Sequence, residues 1–162
     1  MSSSRCSTTC SEAIRVPSFD ELLPQVERVH AAVRRVIARS GCELASALLV
    51  RELQAAGLPA VFVLGHYLGP AGKHDCLHAW VELDGVLLDP TRDQFLESPF
   101  TETYLGEYIR DGGDPRTGLE QLIHEQLNRQ LSYKREGVLA LAAEYQLDLL
   151  EIEEADGGLY GV

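Results

Sequence analysis

The chain has 162 residues, 45% of them hydrophobic and 24% charged, enough apolar material for one domain with its own core and without any run of the ~20 residues a membrane span needs. A formal net charge of -11 argues against nucleic acid or an anionic membrane surface as a partner. Cysteines stand at positions 6, 10, 42 and 76, and no apolar stretch follows Met1-Ser2-Ser3-Ser4-Arg5, which fits a cytoplasmic protein with free thiols better than a secreted disulfide scaffold.

Residues 1–16 are Ser/Thr-rich and are expected to form a disordered leader, with residues 17–162 as a single domain. Ser18 followed by Glu21 reads as a capping box. Leu22, Leu23, Val26, Val29, Val33, Val36 and Ile37 then repeat at helical spacing, predicting a helix to Arg39 whose regular part begins at Ser18 or at Pro24. Ser40-Gly41 breaks the pattern. Cys42 opens a second helix with Ala45, Leu48, Leu49, Leu53 and Ala56 as its apolar stripe, stopped at Gly57. Ala60 to Leu64 reads as a buried strand, followed by a Gly/Pro loop from Gly65 to Lys73. Two alternating runs around Asp84-Gly85 come next. Thr91 to Pro115 reads as irregular with a short helix around Tyr104 to Arg110, and helices are expected over Gly118–Lys134 and Val138–Tyr145. Leu147 to Ile152 fits a closing strand or a helix end. The acidic positions after Arg135, from Glu136 to Asp156, read as a solvated face.

Asp84-Gly85 between alternating runs is the strongest short-range hairpin signal. A two-residue turn there pairs Leu83 with Val86, Trp80 with Asp89 and His78 with Thr91. Alternation then sends His78, Trp80, Glu82, Leu87, Asp89 and Thr91 to one face and Leu77, Ala79, Val81, Leu83, Val86 and Leu88 to the other. His78 and Asp89 become diagonal neighbours about 7 Å apart at the backbone, a gap their side chains can bridge.

The chemistry this suggests starts at sulfur. A nucleophilic cysteine needs a helix N-terminus, a neighbouring imidazole, or both. Cys42 stands at the start of its helix, where unpaired N–H groups favour negative charge and can hold an oxyanion. His78 is then the base that takes the thiol proton and later delivers it, and Asp89 fixes the imidazole tautomer. Taken singly, a buried Cys, a strand His and an Asp before Pro are commonly structural; their joint geometry points to catalysis.

Several stretches together resemble the transglutaminase-like branch of the papain-like cysteine enzymes: Gly41-Cys42 with Ser46, Leu48-Leu49 and Leu53 leading to Gly57, His78-Ala79-Trp80-Val81-Glu82, and Asp89-Pro90-Thr91 followed by Gln94-Phe95. The resemblance implies an α+β fold with a papain-like core, in which the Cys-bearing helix packs on an antiparallel sheet and further helices flank it at both ends. It also implies thioester chemistry on amides or esters, in the order Cys, His, Asp. Members of this superfamily include proteases, deamidases, transferases and processing enzymes of peptide natural products. The expectation is therefore a thiol hydrolase of the peptidase or amidase type without a cofactor, acting on a peptide or small-molecule amide or ester, with acyl transfer or natural-product processing as the alternative.

Around this centre, Gln94 is a candidate hydrogen-bond donor toward the site, His66 and His74 are candidates for lining substrate access, and Trp80 is read as core that shields the His–Asp bond. Tyr104, Tyr108, Tyr133 and Tyr145 are assigned to packing. Two other classes compete. One is a non-catalytic binding module on the same scaffold. The other is a zinc site built from His74, Cys76 and His78 on one strand face with Cys42 opposite, a donor set zinc accepts; the catalytic reading leaves Cys76 as a small filler and assigns no metal.

Overall fold

Ser18 opens the first helix: its Oγ accepts the Glu21 backbone N–H, and the Glu21 carboxylate accepts the Ser18 N–H in return. In the computed structural model, which describes residues 15–70, 75–111 and 118–152, this helix (α1) spans Phe19–Arg34 and buries Phe19, Leu22, Val26, Val29, Ala32 and Val33. Pro24 lies inside α1 rather than at its start, so the helix forgoes one backbone bond there. Of the expected leader, residues 1–14 lie outside the described residues. Arg15 and Val16 are tied down, Arg15 by an ion pair to Glu21 at 3.0 Å and Val16 by packing on the core.

The helix stops short of Arg39 because Arg34 turns its guanidinium onto the segment that follows. One nitrogen donates to the carbonyls of Ile37, at 3.1 Å, and Ser40, at 2.7 Å, which fixes a non-helical path into Gly41. The second helix (α2) spans Cys42–Ala55 and buries Leu44, Ala45, Ala47, Leu48, Leu49, Val50 and Leu53. Burial of this many positions, more than one stripe's worth, makes it the central helix of the molecule.

A four-stranded antiparallel sheet follows: β1 (Val61–Leu68), β2 (Asp75–Leu83), β3 (Val86–Leu88) and β4 (Glu107–Arg110), in the order β3-β2-β1-β4. The turn between β2 and β3 has Asp84 at φ 50° and Gly85 at φ 90°, the left-handed pair that an Asp-Gly hairpin requires. Leu83 pairs with Val86 as expected, but the ladder ends at Val81–Leu88, and Asp89 and Thr91 lie beyond it, outside the strand. Two other expectations are corrected. β1 runs four residues past Leu64, because Gly65 to Leu68 are paired on both sides, with β2 and β4. The segment expected as a helix around Tyr104 to Arg110 instead contains β4, since four alternating residues find a ready partner in the edge of β1.

The chain then forms α3 (Leu119–Gln130), α4 (Arg135–Glu144) and a last helical turn at 149–152. Phe62, Ala79, Val81, Leu83 and Leu88 from the sheet join the buried residues of α1 to α4 in one core. The alternate positions build a separate aromatic layer, in which Tyr67 stacks on Phe95 at 4.1 Å and meets Tyr108 at 5.1 Å, and Trp80 meets Tyr108 at 5.1 Å. Trp80 is fully buried there, with its Nε1 donating to Glu82 at 2.9 Å. Tyr145 packs into the helical core, whereas Tyr133 is 80% exposed and does not pack as expected. Glu144 pairs with Arg28 and Arg35, while Glu153, Glu154 and Asp156 lie outside the described residues. Among the described residues no helix is long and apolar enough to cross a membrane.

Candidate active site

Gly41 sits at the N-cap of α2 with φ 90°, a left-handed conformation that side chains resist, and it offers no side-chain cap. Its carbonyl accepts the Ala45 N–H at 2.9 Å, the first backbone bond of α2. Cys42, the first residue of α2, therefore carries its sulfur beside the positive end of the helix.

His78 is 2% exposed and is held on both nitrogens. Nε2 lies 2.7 Å from Asp89 Oδ2, and because an ionised carboxylate only accepts, Nε2 carries the hydrogen. Nδ1 then presents its lone pair, and the Gln94 side-chain nitrogen lies 2.8 Å from it. Cys42 lies within hydrogen-bonding reach of the same ring. Burial works against a charged imidazole here, but the Asp89 carboxylate more than offsets it and the Cys42 thiol adds to the effect, so His78 is pushed up to about 9.

Asp89 is itself fully enclosed. Its Oδ1 accepts the Thr91 backbone N–H at 3.1 Å, and Oδ2 accepts the Tyr108 hydroxyl at 2.7 Å in addition to the imidazole. Tyr108 accepts in turn from Arg92 Nε at 3.0 Å. Burial and the Asp89 charge push the phenol far up, which keeps it a donor. Arg92 is buried and donates from Nη1 to the carbonyls of Ser98, Thr101 and Thr103, with the Tyr104 ring 4.9 Å from its guanidinium carbon. A buried cation is thus linked to the buried anion through one hydroxyl.

The other side of the ring opens on a cleft of about 270 Å³ lined by Cys42, Glu43, Leu64, Gly65, Leu77, His78 and Asp111. The residue next to Gln94 is tied to α1. Asp93 accepts from Arg34 at 2.8 and 3.0 Å and from His30 at 3.0 Å, and these bonds hold its carboxyl below the usual range although burial opposes them. Arg34 therefore braces both the loop that enters Cys42 and the 3-10 helix (Arg92–Phe95) that carries Gln94.

The structure brings Cys42, His78, Asp89 and Gln94 together, with the Trp80 ring 6.1 Å from that of His78. His66 is not among the residues lining the cleft; its Nδ1 lies 2.7 Å from Asp75, and its Nε2 lies 3.7 Å from Asp111 on the cleft wall. His74 lies outside the described residues. Cys76, read as a buried filler, is exposed, and among the described residues no group of three or more His, Cys, Asp or Glu side chains is arranged to hold a metal ion. Sequence reasoning missed Tyr108 and Arg92, both of which reach Asp89 or its partner from irregular or short segments.

The sequence model of the transglutaminase-like superfamily matches residues 1–101. That stretch carries Cys42, His78, Asp89, Arg92 and Gln94 and ends before β4 and Tyr108. No curated protein and no solved structure matches the chain.

Proposed function

This chain belongs to the transglutaminase-like superfamily, and we propose that it is a cysteine-dependent hydrolase of amide or ester bonds, built on a papain-like core with Cys42 as nucleophile. His78 Nδ1 takes the Cys42 proton, and the sulfur attacks the acyl carbon, putting negative charge on the carbonyl oxygen. The N–H groups at the N-terminus of α2 stabilise that oxygen. Collapse expels the amine or alcohol, which receives the proton from His78, and leaves a thioester on Cys42. Water, activated by the same imidazole, then releases the acid and restores the thiol. Asp89 holds the ring in the Nε2–H tautomer throughout.

One observation carries this reading: an imidazole fixed at one nitrogen by a buried carboxylate and hydrogen-bonded to a thiol at a helix N-terminus. The cleft supports a peptide or small-molecule acyl substrate, since the exposed Leu64 and Leu77 offer an apolar wall beside the sulfur. Hydrolysis is the preferred outcome over transfer to an amine, and the cytoplasm, where thiols stay reduced, is the compartment proposed.

Trapping tests the reading. Incubated with candidate peptides or activated esters, the protein is expected to gain an acyl mass by intact mass spectrometry that disappears in Cys42→Ala. Wild-type Cys42 is also expected to react with iodoacetamide faster than a model peptide thiol; a rate no greater than the peptide's would turn the reading into that of a non-catalytic module.

A further inference from the structure

Gln94 stands on the nitrogen that the proposed chemistry needs. With Nε2–H committed to Asp89, the neutral ring has a single lone pair, at Nδ1, and the Gln94 amide nitrogen occupies it at 2.8 Å. An amide nitrogen only donates, so this bond forms with the neutral imidazole and is lost when Nδ1 gains a proton. The bond is not incidental to a loose side chain. Asp93, fixed by Arg34 and His30, pins the 3-10 helix on which Gln94 sits.

The other polar groups around the ring act differently. Cys42 hydrogen-bonds the ring, and with Nε2 held by Asp89 the nitrogen left to it is Nδ1; Glu43 and Asp111, which line the same cleft, are carboxylates that donate nothing in their ionised form. Asp89 takes Nε2, while Tyr108 and Arg92 act through Asp89 from behind. We propose that Gln94 is a positioning residue that opposes protonation of His78 by occupying the Nδ1 lone pair of the neutral ring, so that Gln94 and the Cys42 thiol compete for one nitrogen. The inference rests on Cys42 and His78 being the reacting pair. Its consequence is a nucleophile restrained at rest: proton transfer from sulfur must first displace an amide hydrogen bond.

The sign of the effect follows from the chemistry. Removing a donor to the neutral form makes protonation easier, so loss of the amide should raise the titration midpoint of His78 and increase thiolate reactivity. Gln94→Met keeps the length and apolar bulk without a donor; Gln94→Glu replaces the donor by an acceptor and should act in the same direction more strongly. In full-length protein carrying Cys42→Ala, ¹⁵N NMR of the histidines is expected to show the His78 midpoint rising by roughly 0.5 to 1 pH unit in Gln94→Met, the scale of one hydrogen bond. With Cys42 present, iodoacetamide at pH 7 should alkylate it roughly two- to ten-fold faster in Gln94→Met than in the wild type. An unchanged or lowered midpoint, or an unchanged or slower alkylation in folded variants, overturns the proposal. The NMR titration keeps the two ideas apart, because it reads the Gln94 bond even where wild-type Cys42 turns out to react no faster than a peptide thiol.

Discussion

The two nitrogens of His78 face two different kinds of surroundings. On the Nε2 side, Asp89, Thr91 and Arg92 are buried, and Tyr108 stands between the carboxylate and the guanidinium. On the other side the Gln94 amide meets Nδ1, and the Cys42 thiol lines with His78 a cleft that a ligand can enter. The contrast matches the two tasks of an acid–base imidazole. One nitrogen must keep its hydrogen through every step, which favours a closed, over-determined shell; the other must exchange partners, which a closed shell would prevent.

Breaking the closed side should cost most. Asp89→Asn puts a donor-bearing amide against Nε2 and favours the wrong tautomer, so any acyl-transfer or alkylation rate that depends on the pair should fall by about 10³- to 10⁴-fold; a loss smaller than about ten-fold would show that the tautomer is set elsewhere. Smaller in scale is the pH dependence of stability. Since His78 is pushed up to about 9 in the folded chain, from an ordinary value near 6.5, its contribution is fully present below about pH 6.5 and is lost as pH rises through about 9. Thermal melts from pH 6 to 10 should show that decline, and His78→Gln should flatten it. Smallest, and aimed at how the closed side is built, is Tyr108→Phe. It removes one donor from Asp89 and leaves Arg92 Nε without its acceptor, for an expected loss of about 1–3 kcal/mol by urea denaturation. A change below about 0.5 kcal/mol would mean that water replaces the hydroxyl and that the shell is less closed than described.

The same contrast explains what was legible in the amino-acid order. The hairpin turn at Asp84-Gly85 and period-two alternation are local signals, and they sufficed to set His78 near Asp89 and to separate an apolar from a polar face. Cys42 at a helix start followed from Ser40-Gly41 and the stripe after it. What stayed hidden depends on contacts far apart in the chain. Glu107-Tyr108-Ile109-Arg110 is too short to distinguish strand from helix by periodicity, and only pairing with β1 decides it. Gly65 to Leu68 carries a glycine and a histidine that read as loop until two neighbouring strands are supplied. Arg92 runs against the usual exposure of arginine, and its burial is compensated by carbonyls of an irregular segment that no pattern announces. Gln94 reads as a donor toward the site, but its target, the imidazole, requires the 3-10 helix and its Asp93 anchor to be known.

β4 has a practical meaning for anyone trimming this chain. The superfamily match stops at Thr101, six residues before that strand begins. A polypeptide cut at that boundary would retain Cys42, His78 and Asp89 yet lose Tyr108, and it would leave the backbone of Gly65 to Leu68 as a naked sheet edge open to self-association. The limit drawn by similarity is therefore not a limit at which the polypeptide can be safely shortened.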